Sequence, residues 1–149
     1  MGNSVLVAID FSELSTKVLE SGIKVAKAIK GKVDLIHVEE DVYRIKRSHE
    51  TTPMDEEFFP VIEKFHKARL EQCQGELDKL RKKIPSALRG KKIIVEGHPT
   101  EEIAKYVDAN KVAVLVIGSH GASNLSISKL GSTTEKLARK AQCSVFIVK

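Results

Sequence analysis

Five short apolar runs, at residues 5–9, 33–38, 91–96, 112–117 and 145–148, are separated along the chain by longer segments of helical periodicity. Runs rich in β-branched residues and lacking polar alternation belong to strands covered on both faces. Between them, Leu14, Val18, Gly22, Val25 and Ile29 recur at the spacing that puts one stripe of a helix against a sheet. Strand and helix alternate throughout, so the chain is expected to form an α/β fold: an open five-stranded parallel sheet with helices on both faces and right-handed crossovers. Periodicity leaves the order of the strands open.

The intervening segments carry their own punctuation. Ser12 is placed to cap the first helix and Gly31 to end it. A long polar loop runs from Glu39 to Asp55. Phe58, Ile62, Phe65, Cys73, Leu77, Leu80 and Ile84 then mark a long amphipathic helix, with its phenylalanines in the core and Pro85 as its stop. The third strand reads as short, with two lysines at its start, as suits an edge. Gly97-His98-Pro99 turns the chain into a helix with Glu101 and Glu102 in its first turn, where the dipole favours them. Leu137, Ala138 and Ala141 supply the apolar face of the last helix.

Chemistry is concentrated directly after the fourth run. Gly118-Ser119-His120-Gly121 is followed after nine residues by Gly131-Ser132-Thr133. Glycine permits positive φ and close approach of backbone to a ligand, and the unpaired N–H groups at the start of the following helix favour anions. A phosphate fits such a place. Ser132-Thr133-Thr134-Glu135 also reads as a capping box, so the Ser132 hydroxyl either caps or donates to a phosphate oxygen, or does both.

The pattern Gly118-x-x-Gly121, nine residues, Gly131-Ser132 resembles the signature of ATP-binding universal stress proteins. The resemblance extends along nearly the whole chain, through Val7-Ala8-Ile9-Asp10-Phe11-Ser12, Leu35-Ile36-His37-Val38 and Gly97-x-Pro99. It implies a single domain over residues 1–149, an adenine nucleotide alpha hydrolase-like fold, and the strand order 3-2-1-4-5. In that order the ends of the first and fourth strands flank one crevice, where open α/β sheets bind ligands. It further implies that ATP, carried with Mg or Mn, is held by Ala8, Ile9, Asp10, Val38, Gly118, His120, Gly121, Gly131, Ser132 and Thr133. Asp10 would accept from the nucleoside or act only as a turn residue; His120 would donate to a phosphate or only shape the loop. Sequence patterning alone would assign Ala8, Ile9 and Val38 to the core. Members of the family commonly dimerise through the last strand, here Val145-Phe146-Ile147-Val148, so a homodimer through that edge is expected.

Two departures from the family pattern stand out. Ala122 occupies a position that is often Arg or Lys, leaving Lys129 as the cation of the loop, and Ser144 replaces the proline usual before the last strand. Efficient phosphoryl transfer needs cation clamps and an oriented nucleophile, so hydrolysis is expected to be slow or absent. The rival readings are a slow ATPase or phosphoryl-transfer enzyme and a nucleotide-free dimeric interaction module. A Walker loop and a dinucleotide G-x-G-x-x-G are missing, and the third strand ends in Glu96-Gly97 without the aspartate that a phosphoacceptor would need.

Charge and cysteine usage narrow the partners. The net charge of +5 is regional: residues 61–96 hold ten Lys/Arg against five Asp/Glu, while the rest of the chain is balanced. The excess centres on Arg81-Lys82-Lys83, where no aromatics interleave the cations as a stacking platform for nucleic acid requires, so no nucleic-acid partner is expected. Cys73 and Cys143 are far apart and lack metal-ligand spacing, which fits a reduced, cytoplasmic setting. His49 and His66 have no second ligand at suitable spacing, so no protein-bound metal is expected. The first apolar run is too short for a signal peptide, and no membrane span is expected.

Overall fold

The computed structural model describes residues 3–40, 53–121 and 129–149. The strands are β1 (Ser4–Ala8), β2 (Lys32–Glu39), β3 (Arg89–Glu96), β4 (Val114–Gly118) and β5 (Ser144–Val148). The helices are α1 (Ser15–Ile29), α2 (Pro53–Lys82), α3 (Pro99–Asn110) and α4 (Ser132–Lys140), with a 3₁₀ turn at Ser86–Leu88. All four strand pairings are parallel and the order is β3-β2-β1-β4-β5. The architecture expected from the alternation of runs, and the order implied by the resemblance, are both borne out.

Alternate residues of β1 feed two separate cores, as a period of two demands. Val5 and Val7 pack with Val18 and Leu19 of α1 and Leu77 of α2 on one face. Leu6 packs with Ile103 and Val107 of α3 and Leu137 of α4 on the other. Val5, Leu6 and Val7 have no exposed surface, which is why the run shows no polar alternation. Gly22 sits where α1 crosses β1, and a β-carbon there would overlap Val7 Cγ2.

One buried carboxylate interrupts the apolar run of β2. Asp34 accepts from Ser4 Oγ at 2.6 Å and from the Lys91 backbone N–H at 2.7 Å. The pairing of β2 with β3 shifts register between Val33 and Leu35, and Asp34 supplies the acceptor there. Gly90 leaves the room, since a β-carbon on it would collide with Asp34 Oδ1.

Several local expectations are corrected. The left-handed residue ending α1 is Lys30, at φ 55° and ψ 42°, and not Gly31; Gly31 is needed because a β-carbon would run into the Asn3 carbonyl. Helix α1 starts at Ser15, and Ser12 makes no side-chain cap. Helix α2 begins at Pro53, earlier than the apolar pattern indicated, with proline at its first position. Its Phe58 and Phe65 are 55% and 73% exposed, not core. Thirty helical residues extend about 45 Å, whereas the eight residues of β2 extend only about 26 Å. Among the described residues of the helix, the buried side chains Cys73 and Leu77 lie in its C-terminal part. The β3 strand is eight residues long, as long as β2, because it pairs along most of that neighbour. Ala138 is exposed on α4, and Leu137 carries the contact.

Candidate functional site

A cleft of about 710 Å³ opens at the carboxyl ends of the strands, where β1 and β4 lie side by side. All ten residues named from the sequence line it: Ala8, Ile9, Asp10, Val38, Gly118, His120, Gly121, Gly131, Ser132 and Thr133. Ile36, Ile103 and Ile117 join Ala8, Ile9 and Val38 in an apolar wall. The opposite rim is the glycine loop and the N-terminus of α4. A flat apolar body joined to an anionic group matches this division.

The two glycine turns are stitched into one surface by the backbone. Ser119 donates its N–H to the Val148 carbonyl at 2.7 Å, and Gly131 donates its own to the Ser119 carbonyl at 2.8 Å. Thr134 Oγ1 donates to the Gly118 carbonyl, also at 2.7 Å. With carbonyls tied back in this way, α4 directs the amides of its first turn outward. Its first intrahelical bond is Glu135 N–H to the Gly131 carbonyl, so the N–H groups of Ser132, Thr133 and Thr134 lie ahead of the ladder.

Glycine serves this loop through space and not through φ. Among the described residues the only glycine at positive φ is Gly97, at 146°. A β-carbon on Gly118 would stand 3.2 Å from the His120 carbonyl oxygen and one on Gly121 2.7 Å from Asp10 Oδ2, whereas one on Gly131 would meet His120 Cα at an ordinary 3.4 Å. The capping box is not formed. Gly131 is the N-cap, drawn there by its bond to Ser119, and Glu135 pairs with Arg139 at 3.4 Å. The Ser132 hydroxyl makes no cap bond and is exposed on the cleft.

Asp10 takes the turn role and keeps its second oxygen toward the cleft. Its Oδ1 accepts from the Ser12 N–H at 2.9 Å and from Ser15 Oγ at 3.4 Å, which makes it the turn residue between β1 and α1. Its Oδ2 faces Gly121 across the cleft. His120 Nδ1 lies 3.0 Å from Ser119 Oγ. Lys129 lines the cleft, while Ala122 falls outside the described residues.

Two features escaped the sequence reading. The Ser12 hydroxyl, read as a cap, is buried without a hydrogen-bond partner and lies on the cleft wall. His37, within the second run, and Glu39, read as the first residue of the long loop but found at the end of β2, form a polar network at the edge of the cleft. His37 Nδ1 meets the Ile9 carbonyl at 2.7 Å, and its Nε2 meets Glu39 Oε2 at 2.7 Å. Arg69 Nε donates to Glu39 Oε1 at 3.0 Å. Burial pushes the Glu39 carboxyl up, but hydrogen bonds from His37 and Arg69 outweigh it and hold it below the ordinary glutamate range. The period of two placing His37 and Glu39 on one face was a readable signal; their helical partners were not. His66 belongs elsewhere, 3.1 Å from Glu96.

A family model described as the universal stress protein family matches residues 1–149. Universal stress protein YxiE of Bacillus subtilis is 29% identical over 151 residues, covering 100% of both chains. The solved structure of UspA from Lactobacillus plantarum superposes with a TM-score of 0.83 at 20% identity, covering 99% of this chain and 97% of that one. MJ0577, a universal stress protein of Methanocaldococcus jannaschii, superposes at 0.77 with 30% identity, covering 100% and 96%.

Proposed function

The chain belongs to the universal stress protein family, and from that membership we propose that it is an ATP-binding regulatory protein with at most slow hydrolysis. The observation that carries this reading is the convergence in one cleft of an apolar wall, a free carboxylate oxygen on Asp10 and the amide-rich rim of Gly118, Gly121, Gly131 and α4. Adenine would lie against Ala8, Ile9 and Val38, the ribose beside Asp10, and the phosphates over the glycine loop. Two solved universal stress proteins were captured with cAMP and dAMP, at 19% and 18% identity. They tie to this chain by fold alone, so the cleft itself is the support for an adenine nucleotide here.

Lys129 is the cation among the described residues lining the cleft. A single lysine leaves much of a triphosphate's charge to a Mg or Mn ion bound with the nucleotide. It also leaves the γ-phosphate without the several cations that fast phosphoryl transfer uses. The protein therefore acts by binding, with the nucleotide altering its conformation or its affinity for partners in the cytoplasm. A two-fold homodimer through β5 completes the reading.

The test is mass spectrometry of freshly purified, denatured protein for a retained nucleotide, followed by calorimetric titration with Mg-ATP. ATP surviving purification supports a binding protein. ADP with steady phosphate release would instead favour an enzyme. No nucleotide and no heat at high ATP would leave a nucleotide-free interaction module.

A further inference from the structure

We propose that His37, Glu39 and Cys73 form a binding site for a divalent cation of borderline softness, zinc above all, with its fourth position open to the cleft. His37 and Glu39 project from one face of β2, and Cys73 comes from the buried part of α2, the helix packed on that face. Nε2, Oε2 and Sγ all lie within 4.8 Å of one another. Glu39 Oε2 is 2.7 Å from His37 Nε2 and 3.5 Å from Cys73 Sγ.

The surroundings match what a metal site requires beyond its ligands. The Nδ1–H of His37 donates to the Ile9 carbonyl, which fixes the tautomer and aims Nε2 at the cluster. Arg69 occupies Glu39 Oε1 and leaves Oε2 turned inward. The Phe11 ring packs against the imidazole, with ring centroids 4.5 Å apart. Phe11 holds this place at φ 61°, a left-handed conformation that is costly outside glycine. Cys73 is fully buried and His37 is 5% exposed, while Glu39 and His37 border the cleft, the side from which an ion and its water would enter.

Donor chemistry selects the ion. A thiolate, an imidazole and a carboxylate together suit zinc better than magnesium or calcium, and three protein ligands plus water is the open form of zinc site. Ligand atoms around tetrahedral zinc stand roughly 3.3–3.8 Å apart, so binding opens the 2.7 Å between Glu39 Oε2 and His37 Nε2 and draws in separations toward 4.8 Å, while the 3.5 Å between Glu39 Oε2 and Cys73 Sγ already fits. Without metal, both ring nitrogens of His37 face oxygens that only accept, and the Cys73 thiol donates to Glu39. Burial and the neighbouring Glu39 charge push that thiol up. Ligation takes the thiolate of Cys73 and the neutral imidazole of His37, so metal binding is coupled to proton release.

The experiment is a Co²⁺ titration of the full chain, stripped with EDTA and free of nucleotide, in wild type, Cys73→Ser and Cys143→Ser. A thiolate-to-cobalt charge-transfer band is expected in wild type and Cys143→Ser, removed by added Zn²⁺, and at least tenfold weaker in apparent affinity for Cys73→Ser. Zinc should also raise the thermal midpoint of wild type but not of Cys73→Ser, because the ion staples α2 to β2. Circular dichroism establishes that the serine variant is folded, and Cys73→Ala serves if it is not. No thiolate band in wild type, or the same band without the Cys73 sulfur, would overturn the proposal and leave a hydrogen-bonded ion pair only.

Discussion

Gly121 faces Asp10 so closely that a β-carbon on the glycine would stand 2.7 Å from Asp10 Oδ2. The loop and the end of β1 thus share one gap that only a hydrogen atom leaves free. Gly121→Val should close it, moving the carboxylate and blocking the loop amides, while the cores far from the loop keep the fold. Mg-ATP affinity measured by calorimetry is expected to fall at least tenfold, roughly 1.4 kcal/mol or more, with an unchanged far-UV spectrum. Gly131→Ala is the contrast. Its β-carbon would meet its neighbours at 3.4 Å or more and its φ of −59° suits any residue, so affinity should change far less. Equal and normal binding by both variants would remove the loop from the site.

Asp10→Asn separates the two duties of that carboxylate. The asparagine carbonyl still accepts from Ser12 N–H, so the turn survives, but the atom facing the cleft becomes a donor. A lost hydrogen bond to a charged acceptor is worth about 1.5–3 kcal/mol. Nucleoside and ATP affinity should fall together by about that amount, with urea stability close to wild type. A variant that binds both ligands normally would make Asp10 a turn residue only.

What could be read from the sequence, and what could not, divides by the range of the interaction. Alternation of runs such as Val5, Leu6 and Val7 specified a parallel sheet covered on both faces, because burial on two sides is written residue by residue. The strand order was not so written; it came through the resemblance carried by Gly118, Gly121 and Gly131. Local rules failed where tertiary contacts overrode them. Gly131, held by Ser119, took the cap position that Ser132 was expected to fill, and the Asn3 carbonyl, not helix termination, explains Gly31. Phe58 and Phe65 followed a helical stripe correctly, but the stripe cannot say where the sheet ends beneath it. The approach of Cys73 to Glu39 spans 34 residues between a strand and a helix, and no short-range pattern encodes it.

Gly22→Ala tests the packing of α1 on β1. Alanine in place of glycine inside a helix is ordinarily worth about 0.8–1 kcal/mol in favour of folding. Here the added carbon overlaps Val7 Cγ2, in a side chain with no exposed surface and neighbours on every side. Overpacking of that kind costs about 1–3 kcal/mol, so the clash should win and the variant should be less stable in urea by about 1 kcal/mol. A stabilised variant would mean that the helix shifts outward freely, against the close packing of this core.

The last strand provides the test of assembly. Among the described residues β5 pairs only with β4, which leaves its outer edge without a strand partner there, and Phe146 on this strand is 47% exposed. Among its five residues, Ser144, Val145, Phe146, Ile147 and Val148, none is charged, and inward or edge charges are the usual protection against pairing. An isologous contact between two such edges satisfies both backbones and covers both phenylalanines. Phe146→Asp sets like charges against each other across the two-fold axis while disturbing little of the monomer, since the side chain lies outside both cores. Sedimentation equilibrium should find wild type dimeric and the variant monomeric, with similar unfolding midpoints extrapolated to low concentration. A wild type that sediments as a monomer, or a variant that stays dimeric, would move the interface away from β5.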